Sequence, residues 1–176
     1  MSEREHAGAA LVQLRRRVDA HFDAALARSP EAFACAPGCA DCCGVRFGVF
    51  AIEADRVAAA LRELATHDSG LRERVRRQAS DAAHTACALL VDRRCAIYEQ
   101  RPLICRSHGL PVRAREPDGS ARVQVCPLNF RAHAPPPASV LELEAVNAPL
   151  SVAARLWDGA ARRVDLAALA AADDDE

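Results

Sequence analysis

The residues most able to do chemistry are eight cysteines: Cys35, Cys39, Cys42, Cys43, Cys87, Cys95, Cys105 and Cys126. None occurs in the alanine-rich stretches on either side of this region. Cysteines used only as small apolar residues would be scattered through those stretches too, so the clustering argues for a shared role. A short loop can aim several sulfurs at one point, and thiolates are soft ligands for zinc and iron. Adjacent Cys42 and Cys43 add a constraint. Neighbouring side chains point to opposite faces of a strand and diverge on a helix, so the pair is expected to face two sites, or one member to support the other's site. Eight thiols suffice for two four-cysteine sites, zinc ions or clusters. They also suffice for one site with thiols left over for redox work.

Residues around these sulfurs could tune them. Arg101 and Arg106 flank Cys105, and guanidinium donors can hydrogen-bond thiolate sulfur and shift its potential. Tyr98, the sole tyrosine, could donate to the same site or pack in a strand. His108 has three readings: ligand, outer donor or turn residue. His84 reads as solvated on a charged helical face, whereas His6, His21, His67 and His133 lie outside the cluster. Asp41 sets local charge or shapes a turn, and Asn129 is expected to fix a loop through its side chain.

No paired carboxylates, Ser–His–Asp pattern, phosphate-cradling glycine loop or basic–aromatic stripe is visible. All 23 basic residues are arginine, so lysine chemistry is excluded. Catalytic residues stay unknown, and whether the chain is an enzyme stays open.

The elements that must position the cysteines are legible in outline. Leu11, Leu14, Val18, Phe22 and Leu26 recur at helical spacing and predict a helix over residues 3–28. The stretch from Cys35 to Gly44, with Pro37 and Gly38, reads as a loop, and Val45–Phe50 alternates like a strand. Helices are expected over Ile52–Ala65 and Leu71–Thr85. A tight hairpin turns at Asp92-Arg93-Arg94, and Pro102 opens a short helix through Arg106. A second hairpin turns at Glu116-Pro117-Asp118-Gly119. After the stiff Pro135–Pro137 spacer, Ser139-Val140-Leu141-Glu142 reads as a capping box. It would open a helix towards Trp157 that Pro149 should kink or divide. Asp165 caps a last turn or two, and Asp173–Glu176 reads as a frayed acidic tail.

The expected fold class is therefore α+β. It is a helix-rich single domain, with flanking helices around a cysteine-bearing loop and short β-hairpins. The segments are 1–32 (N-terminal helix), 33–131 (cysteine-cluster core) and 138–176 (C-terminal helical segment and tail). Hydrophobic residues make up 51 % of the 176-residue chain, which excludes disorder. Aromatics are only 4 %, so the core should be thin and a metal could add to its stability. A formal charge of −1 offers nucleic acid or anionic membrane no global attraction. Met1–Gly8 has no apolar signal-like run, and no stretch reaches membrane-spanning length. The expected location is the cytoplasm, where thiols stay reduced.

Taken alone, Cys35-x3-Cys39-x2-Cys42 matches the cluster spacing of radical S-adenosylmethionine enzymes, but the series of βα units they need is missing. A wider pattern is more specific. Cys35-x3-Cys39-x2-Cys42-Cys43 is followed by Cys95-Ala96-Ile97-Tyr98-Glu99-Gln100-Arg101-Pro102-Leu103-Ile104-Cys105-Arg106. Together these resemble the YkgJ family of cysteine-cluster proteins. Cys87-Ala88-Leu89-Leu90 is similar to that family's Cys-Pro-x-Leu segment, with Ala88 in place of proline. Cys126-Pro127-Leu128-Asn129-Phe130 is similar to its closing segment, so the likeness spans about residues 33–131. The resemblance implies chelation of zinc or iron, with all eight cysteines as ligands to zinc or an iron–sulfur cluster such as 4Fe-4S. A redox or metal-handling role follows. Two alternatives are a zinc-stabilised module that meets a protein partner and an iron–sulfur-dependent enzyme. The second is suggested by the similar cysteine pattern of flagellin lysine N-methylases, which are longer chains.

Overall fold

The computed structural model describes residues 1–173. Six helices occur there: α1 (Glu3–Arg28), α2 (Ala51–His67), α3 (Ser69–Ser80), α4 (Leu103–Ser107), α5 (Glu144–Asp158) and α6 (Leu166–Ala171). The strands are short: β1 (Gly48–Phe50), β2 (Leu90–Val91), β3 (Arg94–Cys95), β4 (Val112–Arg115), β5 (Ala121–Gln124), β6 (Leu141–Glu142) and β7 (Arg163–Asp165). The class is α+β, as the sequence implies. No helix among the described residues is long and apolar enough to cross a membrane.

Two compact units interleave along the chain. The first comprises Met1–Ala36 and Leu103–Leu156; the second comprises Pro37–Pro102 and the stretch beginning at Trp157. In the first, α1 starts at a capping box. Ser2 Oγ accepts from the Glu5 N–H, and the Glu5 carboxylate answers the Ser2 N–H, so two orphan donors are satisfied. Leu11, Leu14 and Val18 are buried on one stripe of α1, which packs against α4. The Arg106 guanidinium of α4 donates to both carboxylate oxygens of Asp19 at 2.8 and 2.6 Å. Strand β4 pairs antiparallel with β5 and parallel with β6.

That parallel pairing revises one expectation. Ser139 does not open a helix: Pro137–Ser139 is a 3₁₀ turn, and Leu141–Glu142 joins the sheet. The Leu141 and Leu143 N–H groups donate to the Pro111 and Arg113 carbonyls, so the backbone the helix would have used is taken by strand pairing. Helix α5 begins at Glu144 and continues through Pro149 undivided.

The second unit holds a core of small side chains. Val49, Val57, Leu61, Val75, Leu89, Val91, Ile97 and Leu166 are packed with Ala54, Ala60, Ala79, Ala88, Ala167 and Ala170. A buried Val or Leu contributes about 1.5–3 kcal/mol and an alanine far less, so this core has little to spare. Helix α3 ends at Ser80, five residues before the expected end. The Asp68 carboxylate caps it by accepting from the Leu71 N–H. The alternating run of residues 45–50 is a strand only at Gly48–Phe50, where it pairs with β7 in the register Val49↔Val164. Strand β7 was not expected from the sequence; three residues are too few for an alternation to register. Asp165, at its end, caps α6 through the Ala167 and Ala168 N–H groups. The buried Arg72 guanidinium closes that helix by donating to the Ala170 and Ala172 carbonyls at 2.8 and 2.6 Å. Of the expected acidic tail, only Asp173 lies within the described residues.

Candidate metal centre

Five of the eight cysteines belong to the second unit: Cys39, Cys42, Cys43, Cys87 and Cys95. The hairpin of β2 and β3 carries Cys95 in register with Leu90. Its two turn residues, Asp92 and Arg93, have φ of 50° and 60°. Positive φ at both central positions is the twist-matched turn that a two-residue hairpin prefers. Arg74 holds Asp92 through two hydrogen bonds of 2.8 and 2.7 Å, and keeps its carboxyl below the usual carboxylate range.

This hairpin fastens the cysteine loop. The Arg93 Nε donates to the Gly38 carbonyl at 2.9 Å, and the Cys87 N–H donates to the Cys43 carbonyl at 2.8 Å. Beyond the loop, Arg46 donates to the Gln78 and Asp81 carbonyls at the end of α3. Gln78 in turn uses its amide nitrogen to hold the Ala88 and Leu90 carbonyls, each at 3.0 Å. Two segments far apart in sequence thus become neighbours.

The sulfurs of this unit already sit among donors. Burial pushes the Cys87 thiol up, while the Leu89 and Leu90 backbone N–H groups donate to its sulfur and, with the Arg46 charge, oppose that rise. Burial also raises Cys95; the Ile97 N–H and the Arg101 charge counter it, and Cys87 adds to it. Cys42 and Cys43 lie on a 3₁₀ turn, Asp41–Cys43, and their side chains are hydrogen-bonded to each other. That bond, with burial and the Cys43 charge, pushes the Cys42 thiol far above its ordinary value. The hydrogen bond joins these two side chains although about 120° separates successive residues on such a turn. The thiol interactions run Cys43 to Cys42, Cys42 to Cys87 and Cys87 to Cys95. Among the described residues no group of three or more His, Cys, Asp or Glu side chains stands ready to hold a metal ion.

The other three cysteines, Cys35, Cys105 and Cys126, belong to the first unit. Cys35 follows a Phe22–Phe33–Phe130 ring cluster, with centroids 5.6 and 5.0 Å apart. The chain there is pinned by the Phe130 N–H, which donates to the Ala32 carbonyl at 2.8 Å. Asn129 accepts from the Ala34 N–H at 2.8 Å and donates to Cys35 Sγ at 3.4 Å. Its backbone N–H donates to the Cys126 carbonyl at 2.9 Å. Cys105 is half-buried on α4.

The donor chemistry in both units fits a soft cation: sulfur ligands, with N–H donors directed at Cys87, Cys95 and Cys35. A sequence profile described as "CxxCxxCC: Putative zinc- or iron-chelating domain" matches residues 34–127, more than half of the chain. The chain belongs to the CxxCxxCC family. The matched span takes in all eight cysteines, and membership supports binding of zinc or iron. Against the CxxCxxCC pattern, three residues rather than two separate Cys35 from Cys39. No curated protein and no solved structure matches the chain.

Within the CxxCxxCC span, the outer residues named from sequence fall in different places. Arg101 stacks over the exposed Tyr98 ring at 3.7 Å and acts electrostatically on Cys95. Arg106 is buried and bonded to Asp19. His108 is half-buried, and burial holds its imidazole below the ordinary pKa. Asp41 opens the 3₁₀ turn, its carbonyl accepting from the Gly44 N–H. His84 is not simply solvated, for its Nε2 is buried and has no hydrogen-bond partner. Sequence reasoning missed Arg93, Arg46 and Gly109. Only Gly109 left a signal, as a glycine two residues after a short helix.

Proposed function

We propose that this chain is a metal-handling protein that holds zinc or an iron–sulfur centre through its cysteine thiolates, with Cys39, Cys42, Cys43, Cys87 and Cys95 as candidate ligands in the second unit and Cys35, Cys105 and Cys126 as candidates in the first. One observation carries the reading: backbone N–H groups donate to the sulfurs of Cys87 and Cys95. Hydrogen bonds of this kind stabilise thiolate ligands and tune the centre they hold.

Bound zinc or iron would supply a Lewis-acidic or redox-active thiolate centre. The chain's own residues do the rest. Arg46 and Arg101 offset the negative charge of Cys87 and Cys95, and Arg93 keeps the Gly38 end of the loop against the hairpin. Cys39 and Cys42 are exposed. Exposed ligands favour exchange of metal with a donor or acceptor, which suits handling better than a sealed structural site.

Anaerobic purification with metal analysis and an absorption spectrum tests the proposal. A brown protein absorbing near ~400 nm identifies an iron–sulfur centre; a colourless one with stoichiometric zinc identifies zinc. Protein that takes up neither metal, with all eight thiols titrating freely, would refute it.

A further inference from the structure

Asn129 is only 3 % exposed, and a buried carboxamide has to satisfy its polar atoms. It does so completely on the donor side. Oδ1 accepts from the Ala34 N–H at 2.8 Å, while Nδ2 donates to the Gly109 carbonyl at 2.7 Å and to Cys35 Sγ at 3.4 Å. Turning the amide over would set oxygen against the Gly109 carbonyl and nitrogen against the Ala34 N–H, so its neighbours fix the orientation.

Gly109 completes the arrangement. Its φ is +95°, and a Cβ there would lie 2.6 Å from Cys35 Sγ and 3.4 Å from the Phe22 ring. The sulfur therefore occupies space that any side chain at position 109 would fill, and Asn129 fixes both the glycine and the sulfur. Fixing the loop would need only the bonds to Ala34 and Gly109. The third bond goes to sulfur, a weak acceptor as a thiol, and hydrogen bonds are stronger when the acceptor is ionised.

The geometry points to Asn129 as a positioning residue for Cys35, one that orients the sulfur against the Gly109 backbone and stabilises its thiolate as a metal ligand. This rests on the reading of Cys35 as a ligand. It goes beyond that reading by assigning to one uncharged side chain the control of one sulfur. Loss of an outer hydrogen-bond partner of this kind typically costs about 10–100-fold in metal affinity.

The test is a double-mutant cycle on the full chain, with Zn²⁺ affinity read by competition with a chromophoric chelator. Asn129→Asp keeps the shape and the acceptor for Ala34 but removes both Nδ2 donations. It is expected to weaken zinc binding by about tenfold or more, and to have no effect in a Cys35→Ser background. An equal loss in both backgrounds, or no loss in folded protein, would overturn the assignment. A second arm uses metal-free protein, with site-resolved alkylation by iodoacetamide. Because the thiolate is the attacking species, Cys35 should react more slowly in Asn129→Asp than in the parent, relative to Cys39; an unchanged or higher ratio counts against the assignment. If the parent takes up no zinc or iron, the proposed function fails, and the alkylation arm still decides whether Asn129 holds Cys35. Should Asn129→Asp not fold by circular dichroism, Asn129→Ser enters the same cycle with the same two outcomes.

Discussion

The two units hold their cysteines by different means. In the second, Cys87 lies just before a tight hairpin and Cys95 on its second strand, and nearby backbone N–H groups point at both sulfurs. The cysteine loop is attached through main-chain carbonyls, those of Gly38 and Cys43. In the first, Cys35 Sγ accepts from a buried carboxamide and packs against a glycine. Donors built from backbone survive most side-chain substitutions around them. A sulfur that accepts from a side chain should respond to substitution of that residue. The contrast separates robustness from tunability within one chain.

The largest effect that could break this comparison is metal removal. A ligand at 1,000 times its dissociation constant stabilises the state it binds by about 4 kcal/mol. Chelator treatment should therefore lower the melting temperature by several degrees, and an unchanged melt would remove metal from the stability of both units. Cys87→Ala should follow closely. It deletes a buried sulfur with two N–H donors, and metal content should fall; full retention would exclude Cys87 from the site.

Gly109→Ala comes next, because it forces both a positive φ and a 2.6 Å contact with Cys35 Sγ. About 1–3 kcal/mol should be lost, visible by urea denaturation of the metal-free chain, and wild-type stability would show that Cys35 has room to move. Metal loading should also depend on pH. Burial and the Cys42–Cys43 bond raise the Cys42, Cys87 and Cys95 thiols, so the metal must displace their protons. Each proton displaced makes apparent affinity fall about tenfold per unit drop in pH. A flat profile between pH 6 and 8 (roughly the range where these thiols stay protonated) would contradict thiolate ligation there.

The smallest effect belongs to Asp92→Asn. The Asp92–Arg74 pair is exposed, and such pairs add little. Its contribution is present above the unfolded carboxyl's pKa and is lost as pH falls through the depressed folded value. The melting temperature and metal content at neutral pH should not change measurably. A marked loss of metal would mean that the turn, not the backbone donors, holds Cys95.

The sequence by itself determined the elements that rest on local rules. Helix α1 begins and ends where the helical periodicity puts it, and both hairpins follow from their turn residues. The eight cysteines and the family to which they belong were legible in their spacing. Tertiary structure alone decided what depends on partners distant in sequence. Leu141–Glu142 became a strand because β4 offered it carbonyls, and β7 exists only through its pairing with β1. The hydrogen bond between Cys42 and Cys43 is likewise not encoded by residue spacing. The hold of Asn129 on Cys35 joins positions 94 residues apart, a distance over which no local propensity acts.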